Sequence, residues 1–204
     1  MKEDGVGKLR HFAMSVPDPW KTAEFYKHAF GMEVVGETDS SLAEGVFLSD
    51  GVINLALLHF KSDEAAQGTG SDHVGLHHFG VWVDDPEGVR KCIEEAGGEW
   101  LMGEPEVKGG SFYEVKFRDP NGVIFDISHA GWGGAQKNPG AAGNEIGPSR
   151  ALVPKFAERR AAAAAEMAAR LGPSPRPSHR GRGEGGTRPQ VRAERRPRTG
   201  SAGG

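Results

Sequence analysis

Leu76-His77-His78-Phe79-Gly80-Val81-Trp82-Val83-Asp84-Asp85-Pro86 is the stretch that decides the fold, because the chain carries it in a second version. Sixty-seven residues earlier stands Arg10-His11-Phe12-Ala13-Met14-Ser15-Val16-Pro17-Asp18-Pro19. His11 falls on His78, Phe12 on Phe79, Val16 on Val83 and Asp18-Pro19 on Asp85-Pro86. In the earlier copy His11, Ala13 and Ser15 alternate with Arg10, Phe12, Met14 and Val16, the period of a strand. The Asp-Pro pair then opens a helix, Asp as N-cap and Pro at the first helical position. A strand-then-helix unit met twice at one offset points to an internally duplicated fold. Each copy places one histidine at the same point of its strand, next to a small residue (Ala13, Gly80). That pair is the expected centre of the chemistry.

Working outward, Trp20, Ala23, Tyr26, Ala29 and Phe30 give the first helix an apolar stripe, and Gly31 stops it. Strands are expected at Met32–Glu37, Gly45–Leu48 and Val52–Phe60, with Asp50-Gly51 as a hairpin signal. Residues 61–75 are polar and glycine-bearing and link the copies. In the second copy the strand Leu76–Val83 leads to a helix from Asp85-Pro86 to Gly97-Gly98, whose stripe is Val89, Cys92, Ile93 and Ala96. Strands follow at Glu99–Met102, Ser111–Arg118 and Val123–His129, the last two joined by the tight turn Asp119-Pro120-Asn121-Gly122. Each copy is thus βαβββ, and neither buries its sheet alone. The expected class is α+β: paired βαβββ modules, residues 8–60 and 76–131, whose two sheets side by side enclose a cavity. Residues 132–153 read as a linker. Pro154–Leu171 reads as a helix with a weak apolar face, loosely docked or free. Residues 172–204 read as a disordered basic tail.

The 204 residues carry a net charge of −3. The tail holds eight Arg, no Lys and two Glu, so it is +6 and the remainder is −9. No aromatic residue in the tail is available to stack on bases, which favours a solvated extension over a nucleic-acid contact. One cysteine, Cys92, excludes an intrachain disulfide and suits a reducing compartment. No apolar h-region follows the N-terminus and no run has the length of a membrane span. The expected setting is the cytoplasm.

His11 and His78 lie on one face of equivalent strands. In the last strand Asp126 is bracketed by Phe125 and Ile127, and a carboxylate among apolar neighbours is costly unless paired or bound to metal. Two imidazoles and one carboxylate on a cavity wall make a facial triad that leaves positions open on a divalent ion, whether Fe, Mn, Zn, Ni or Co.

Residues 8–131 resemble the vicinal oxygen chelate superfamily, which includes glyoxalase I, extradiol dioxygenases, methylmalonyl-CoA epimerase and the fosfomycin and bleomycin resistance proteins. The motifs that carry the resemblance are Leu9-Arg10-His11-Phe12, Phe25-Tyr26 with Phe30-Gly31-Met32, Leu76-His77-His78-Phe79 and Asp119-Pro120-Asn121-Gly122-Val123-Ile124-Phe125-Asp126. The resemblance implies a half-open mixed β-barrel around a metal cavity, with metal ligands on the first and last strand of each module: His11, His78, Asp126 and a fourth at Asn54, with Leu55 as the alternative register. Two departures stand out. Most members end in Glu where this chain has Asp126, and the first-module ligand is Glu in glyoxalase I and Gln in the epimerase rather than Asn. Lys116 holds the position of the Tyr that ring-cleaving dioxygenases use.

Glu114 and Lys116 share a strand face and are candidates for proton transfer; the alternative is a solvated pair. Trp82, on the His78 face, either walls the substrate or packs in the core. His77 is expected on the opposite, helix-packed face, and Cys92 in a helix core. The function that follows is a divalent-metal-dependent, glyoxalase-like lyase or isomerase acting on a small carbonyl compound. The alternatives are a non-haem Fe(II) extradiol-type dioxygenase and a metal-free binding or resistance protein. The expected partners are a small-molecule substrate and, across a shared barrel, a second copy of the chain.

Overall fold

A computed structural model describes residues 6–103, 114–140 and 152–172. The first module runs β1 (Lys8–Ser15), α1 (Pro19–Phe30), β2 (Glu33–Asp39), β3 (Ala43–Ser49) and β4 (Asn54–Phe60). The second runs β5 (Gly75–Trp82), α2 (Pro86–Glu95), β6 (Glu99–Met102), β7 (Val115–Arg118) and β8 (Ile124–Ser128). A 3-10 turn, Pro154–Phe156, then leads into α3 (Ala157–Leu171). Residues 111–113 of the expected Ser111–Arg118 strand, and the tail from 173 onward, lie outside the described residues.

The helices start as their sequences dictate. Asp18 accepts from the backbone N–H groups of Trp20 and Lys21, Pro19 follows at the first turn, and Gly31 closes the helix at φ 69°. Asp85 accepts likewise from Gly88 N.

All eight strands form one mixed sheet in the order β2-β3-β4-β1-β5-β8-β7-β6. The N-terminal strand is therefore central. It pairs parallel with β4 and antiparallel with β5, and the β1–β5 seam joins the modules. At the seam His11 faces Gly80 and Ala13 faces His78. These two pairs exchange under the sequence offset, so the duplication acts as an internal two-fold axis between β1 and β5.

Strand alternation divides the core. Val46, Leu48 and Leu57 point to one side, where they meet Trp20 and Ala23 of α1 and Phe156 and Ala163 of the C-terminal segment. Phe47, Ala56, Leu58 and Phe60 point to the other, with Ala13, Ala65 and Ala66, and line the cavity side. A smaller cluster of Val83, Val115, Phe117 and Ile127 lies in the second module with Val89 and Ile93 of α2 packed against it.

Two expectations about helices are corrected. The stripe of α2 is not buried: Val89 and Ile93 are half-buried, while Cys92 and Ala96 are exposed. α3 is not a free helix. Phe156 is buried against the Trp20 ring, centroids 4.5 Å apart, and Glu37 of β2 anchors the segment from inside the protein. The Glu37 carboxylate accepts from Trp20 Nε1 at 3.0 Å, Val153 N at 2.7 Å and Arg160 Nη1. A buried carboxylate with three donors is an attachment point that an apolar-face reading of α3 does not register. Among the described residues no helix is long and apolar enough to cross a membrane.

Candidate metal and substrate site

His11, His78 and Asp126 are all buried, and each offers a ligand atom within 4.8 Å of the others. β1, β5 and β8 bring them together, because Asp126 lies beside Gly80 in the parallel β5–β8 ladder. The three residues could hold a metal ion.

The outer partners fix each imidazole. Asn54 Nδ2 donates to the Gly133 carbonyl at 2.8 Å, so its Oδ1 is the acceptor facing His11 Nδ1 at 2.8 Å. His11 therefore carries its proton on Nδ1 and keeps a lone pair on Nε2. His77 Nε2 meets the Ala66 carbonyl at 2.9 Å and must donate to it. His77 Nδ1 is then an acceptor for His78 Nδ1–H at 2.7 Å, and His78 too keeps its lone pair on Nε2. Both lone pairs are set by neighbours, as ligand histidines are. Burial pushes the His11 pKa down to about 4. Burial, then the Lys116 charge, holds His78 well below its ordinary value, and burial lowers His77 too. All three are neutral at pH 7.

Lys116 Nζ reaches into the same centre. It donates to Asp126 Oδ1 at 2.7 Å and Oδ2 at 2.6 Å, and lies 3.3 Å from His78 Nε2. As a donor set the triad suits a divalent ion, but its carboxylate is already occupied. At an effective dielectric of about 20, a dication 4 Å from an ammonium is repelled by roughly 8 kcal/mol. The ion and the ammonium compete for one position.

Asn54 does not line the cavity and serves instead to orient His11. Its neighbours in register explain why. Ala13, the counterpart of Gly80, pairs with Ala56, whereas Gly80 pairs with Asp126. The first-module position equivalent to Asp126 is therefore Ala56, a cavity-lining methyl group, rather than Asn54 or Leu55.

His77 is not against a helix. A bulge in β5, where Ala13 pairs with His78 but Met14 with Leu76, breaks the alternation at His77. Its ring packs on Phe60, centroids 4.3 Å apart. Trp82 is not a cavity wall either. It is buried over Gly131, with Nε1 donating to the His129 carbonyl and Lys137 above its ring. Glu114 and Lys116 both line the cavity.

Two residues here escaped the sequence reading, and a third was given another role. Trp132, beyond the expected module boundary at 131, stacks on His11 at 5.0 Å and 4° and donates through Nε1 to Glu114 Oε1 at 2.6 Å. Gly80 makes room for it: a Cβ there would lie 2.5 Å from the Trp132 ring and 2.8 Å from His11 Cβ. Gln67 is the second, and His77, read as packed on a helix, is the one whose role is to orient His78. Gln67, at φ 54°, lines the cavity with a buried Oε1 that has no hydrogen-bond partner.

The cavity measures about 130 Å³. Leu42, Ala43, Phe47, Leu58 and Phe60 make its apolar wall; His11, His78, Glu114 and Lys116 form its polar end.

This arrangement, two histidines from duplicated strands with a carboxylate from the last strand, accompanies a family match over residues 8–127 to the Glyoxalase/Bleomycin resistance protein/Dioxygenase superfamily. The chain belongs to that superfamily. Among curated proteins it is 31% identical over 130 residues to the anthracycline biosynthesis protein DnrV of Streptomyces peucetius, covering 59% of this chain and 46% of that protein. The chain thus spans about half the length of the curated relative it matches. Among solved structures it is similar to a methylmalonyl-CoA epimerase in complex with methylmalonyl-CoA and NH4+ (TM-score 0.51, 20% identity, 60% of this chain and 93% of that one). It is also similar to a hypothetical protein of Bacillus halodurans (TM-score 0.50, 21% identity, 59% and 92%). The epimerase of Mycobacterium tuberculosis gives 0.50 at 18% identity, covering 62% and 89%. These structures share the fold of this superfamily member.

Proposed function

We propose that this superfamily member binds a small carbonyl compound and moves a proton on it, as a glyoxalase-like lyase or isomerase. The observation that carries the reading is the buried charged end of the cavity, opposite its apolar wall, where Lys116, Asp126, Glu114 and two neutral histidines converge. A cation in a dry site stabilises the oxyanion that forms when a proton leaves the carbon beside a carbonyl. The 3.3 Å contact from Lys116 to His78 is the longest of its three, so its hydrogen can turn to a substrate oxygen. Glu114, held by Trp132 on one carboxylate oxygen and half-buried, is the group that takes the proton. Gln67 Oε1 supplies an acceptor for a substrate hydroxyl or amide. The volume is below the roughly 300–1,000 Å³ of sites that enclose drug-sized ligands, so the reacting portion of the substrate is what fits inside.

The test is solvent exchange. Small aldehydes, 2-oxo acids and thioesters are incubated with the protein in D2O, and deuterium at the carbon beside the carbonyl is followed by NMR. Wild type is expected to label at least one class, and Glu114→Gln to slow the labelling by roughly 10²- to 10⁴-fold. Equal labelling by both would remove Glu114 from its role. A second reading, sequestration of a ligand without turnover, is favoured by the relative's part in anthracycline biosynthesis and by the apolar wall. It predicts chemical-shift changes with an anthracycline and no deuterium uptake from any carbonyl compound.

A further inference from the structure

Lys116 is buried, 9% exposed, and β7 sets it directly across from Asp126 in the antiparallel ladder with β8. An ammonium has three hydrogens, and Asp126 Oδ1, Asp126 Oδ2 and His78 Nε2 account for all of them. All three acceptors lie on two residues of the candidate triad, and their geometry around Nζ is built in by strand register rather than by a flexible surface contact. The first module adds no anionic ligand, since Ala56 stands at the position equivalent to Asp126. Within the centre one carboxylate thus faces one ammonium, with the Glu114 carboxylate next, 3.8 Å away. A dication added to this set would meet a positive charge where it needs a second negative one.

We propose that Lys116 is the resident cation of this site: its ammonium takes the place of a divalent ion, organises Asp126 and His78, and keeps such an ion out. The inference is independent of turnover and is tested without substrate. Co(II) is the probe, read by its visible absorption and by the shift in Tm. Wild type is expected to show neither a Co(II) band nor a Tm rise. Lys116→Met is expected to bind one equivalent, at least roughly 10- to 100-fold more tightly than wild type, with the band lost in Lys116→Met/His78→Ala. A folded Lys116→Met that binds no better than wild type overturns the proposal, as does a wild type that binds one equivalent through His78.

Because Lys116→Met leaves Asp126 buried and unpaired, it is refolded with and without Co(II), and a second measurement uses no variant. Wild type is reductively methylated and mapped by mass spectrometry, with and without Co(II). Lys116 is expected to stay unmodified in both, while Lys21 and Lys61, whose side chains are 55% and 41% exposed, react. Modification of Lys116 at the rate of those lysines, or its release by Co(II), overturns the proposal.

Discussion

The pairing of Lys116 with Asp126 is a buried ion pair, and such pairs are costly to break from one side only. Asp126→Asn leaves the ammonium without its charge partner and is expected to lose roughly 3–5 kcal/mol in urea unfolding. Lys116→Met/Asp126→Leu removes both charges and is expected to recover most of that loss, since apolar replacements of a whole buried pair are often neutral or better. A double variant as unstable as Asp126→Asn would show that packing, not charge, sets the cost. Gly80→Ala tests the other side of the site. Its new methyl group meets Trp132 and His11 Cβ, and overpacking of this kind costs roughly 1–3 kcal/mol; tryptophan fluorescence would report the displaced ring. At this scale the sequence was partly legible. The duplication alone singles out His11 and His78, and apolar neighbours single out Asp126. The partners that fix the histidine tautomers were not legible. His77 is reached through a bulge that breaks period two, and Trp132 sits in a glycine-rich stretch with no period at all.

Among the elements, α3 is the one whose role differs most from its composition. An alanine-rich helix has little apolar surface of its own, and its docking comes from Phe156 before it and from ion pairs along it. Arg160 reaches Glu37, Arg159 reaches Glu44 at 2.6 Å, and Glu166 reaches Lys21 at 2.9 Å. The last two involve exposed side chains and contribute little. Phe156→Ala is expected to cost roughly 3–5 kcal/mol, as for other buried aromatic deletions, and to free α3. Hydrogen exchange would show this as lost protection across α3, with β1 and β5 unchanged. Unchanged exchange in α3 would place its attachment in the ion pairs instead. α2 errs in the opposite sense: its apolar period is good, yet half of the stripe faces outward, because period reports which residues share a face and not how much surface covers it.

For the whole molecule, the neutral histidines set an acid limit. His11 is lowered to about 4 and His78 is also lowered, while both titrate near 6.5 when unfolded. Below 6.5 the unfolded chain binds more protons, so their contribution to stability is complete above that value. It is lost as pH falls through 6.5 toward about 4 and below. Each histidine is expected to add a slope of roughly 1.4 kcal/mol per pH unit in that window. Urea midpoints across it check this, and a flat profile would mean that the folded state admits the charge. The overall architecture was legible because the offset between copies survives unbroken through strand, cap and helix. The fourth ligand position was misplaced because sequence gives strand faces but not which residues of neighbouring strands stand level. Only the pairing of β1 with β4 moves that position from Asn54 to Ala56.

The central place of β1 has a consequence for synthesis. It is made before the other seven described strands, yet one of its two edges stays bare after β4 is complete at Phe60, until β5 has been added through Trp82. At roughly 5–20 residues per second, those residues take the ribosome roughly one to four seconds. For that interval the nascent first module shows an open strand whose natural partner is the antiparallel β5, which repeats its Leu9, His11 and Phe12 as Leu76, His78 and Phe79. Until β5 arrives, that edge is where a seam between two chains would compete with the seam within one.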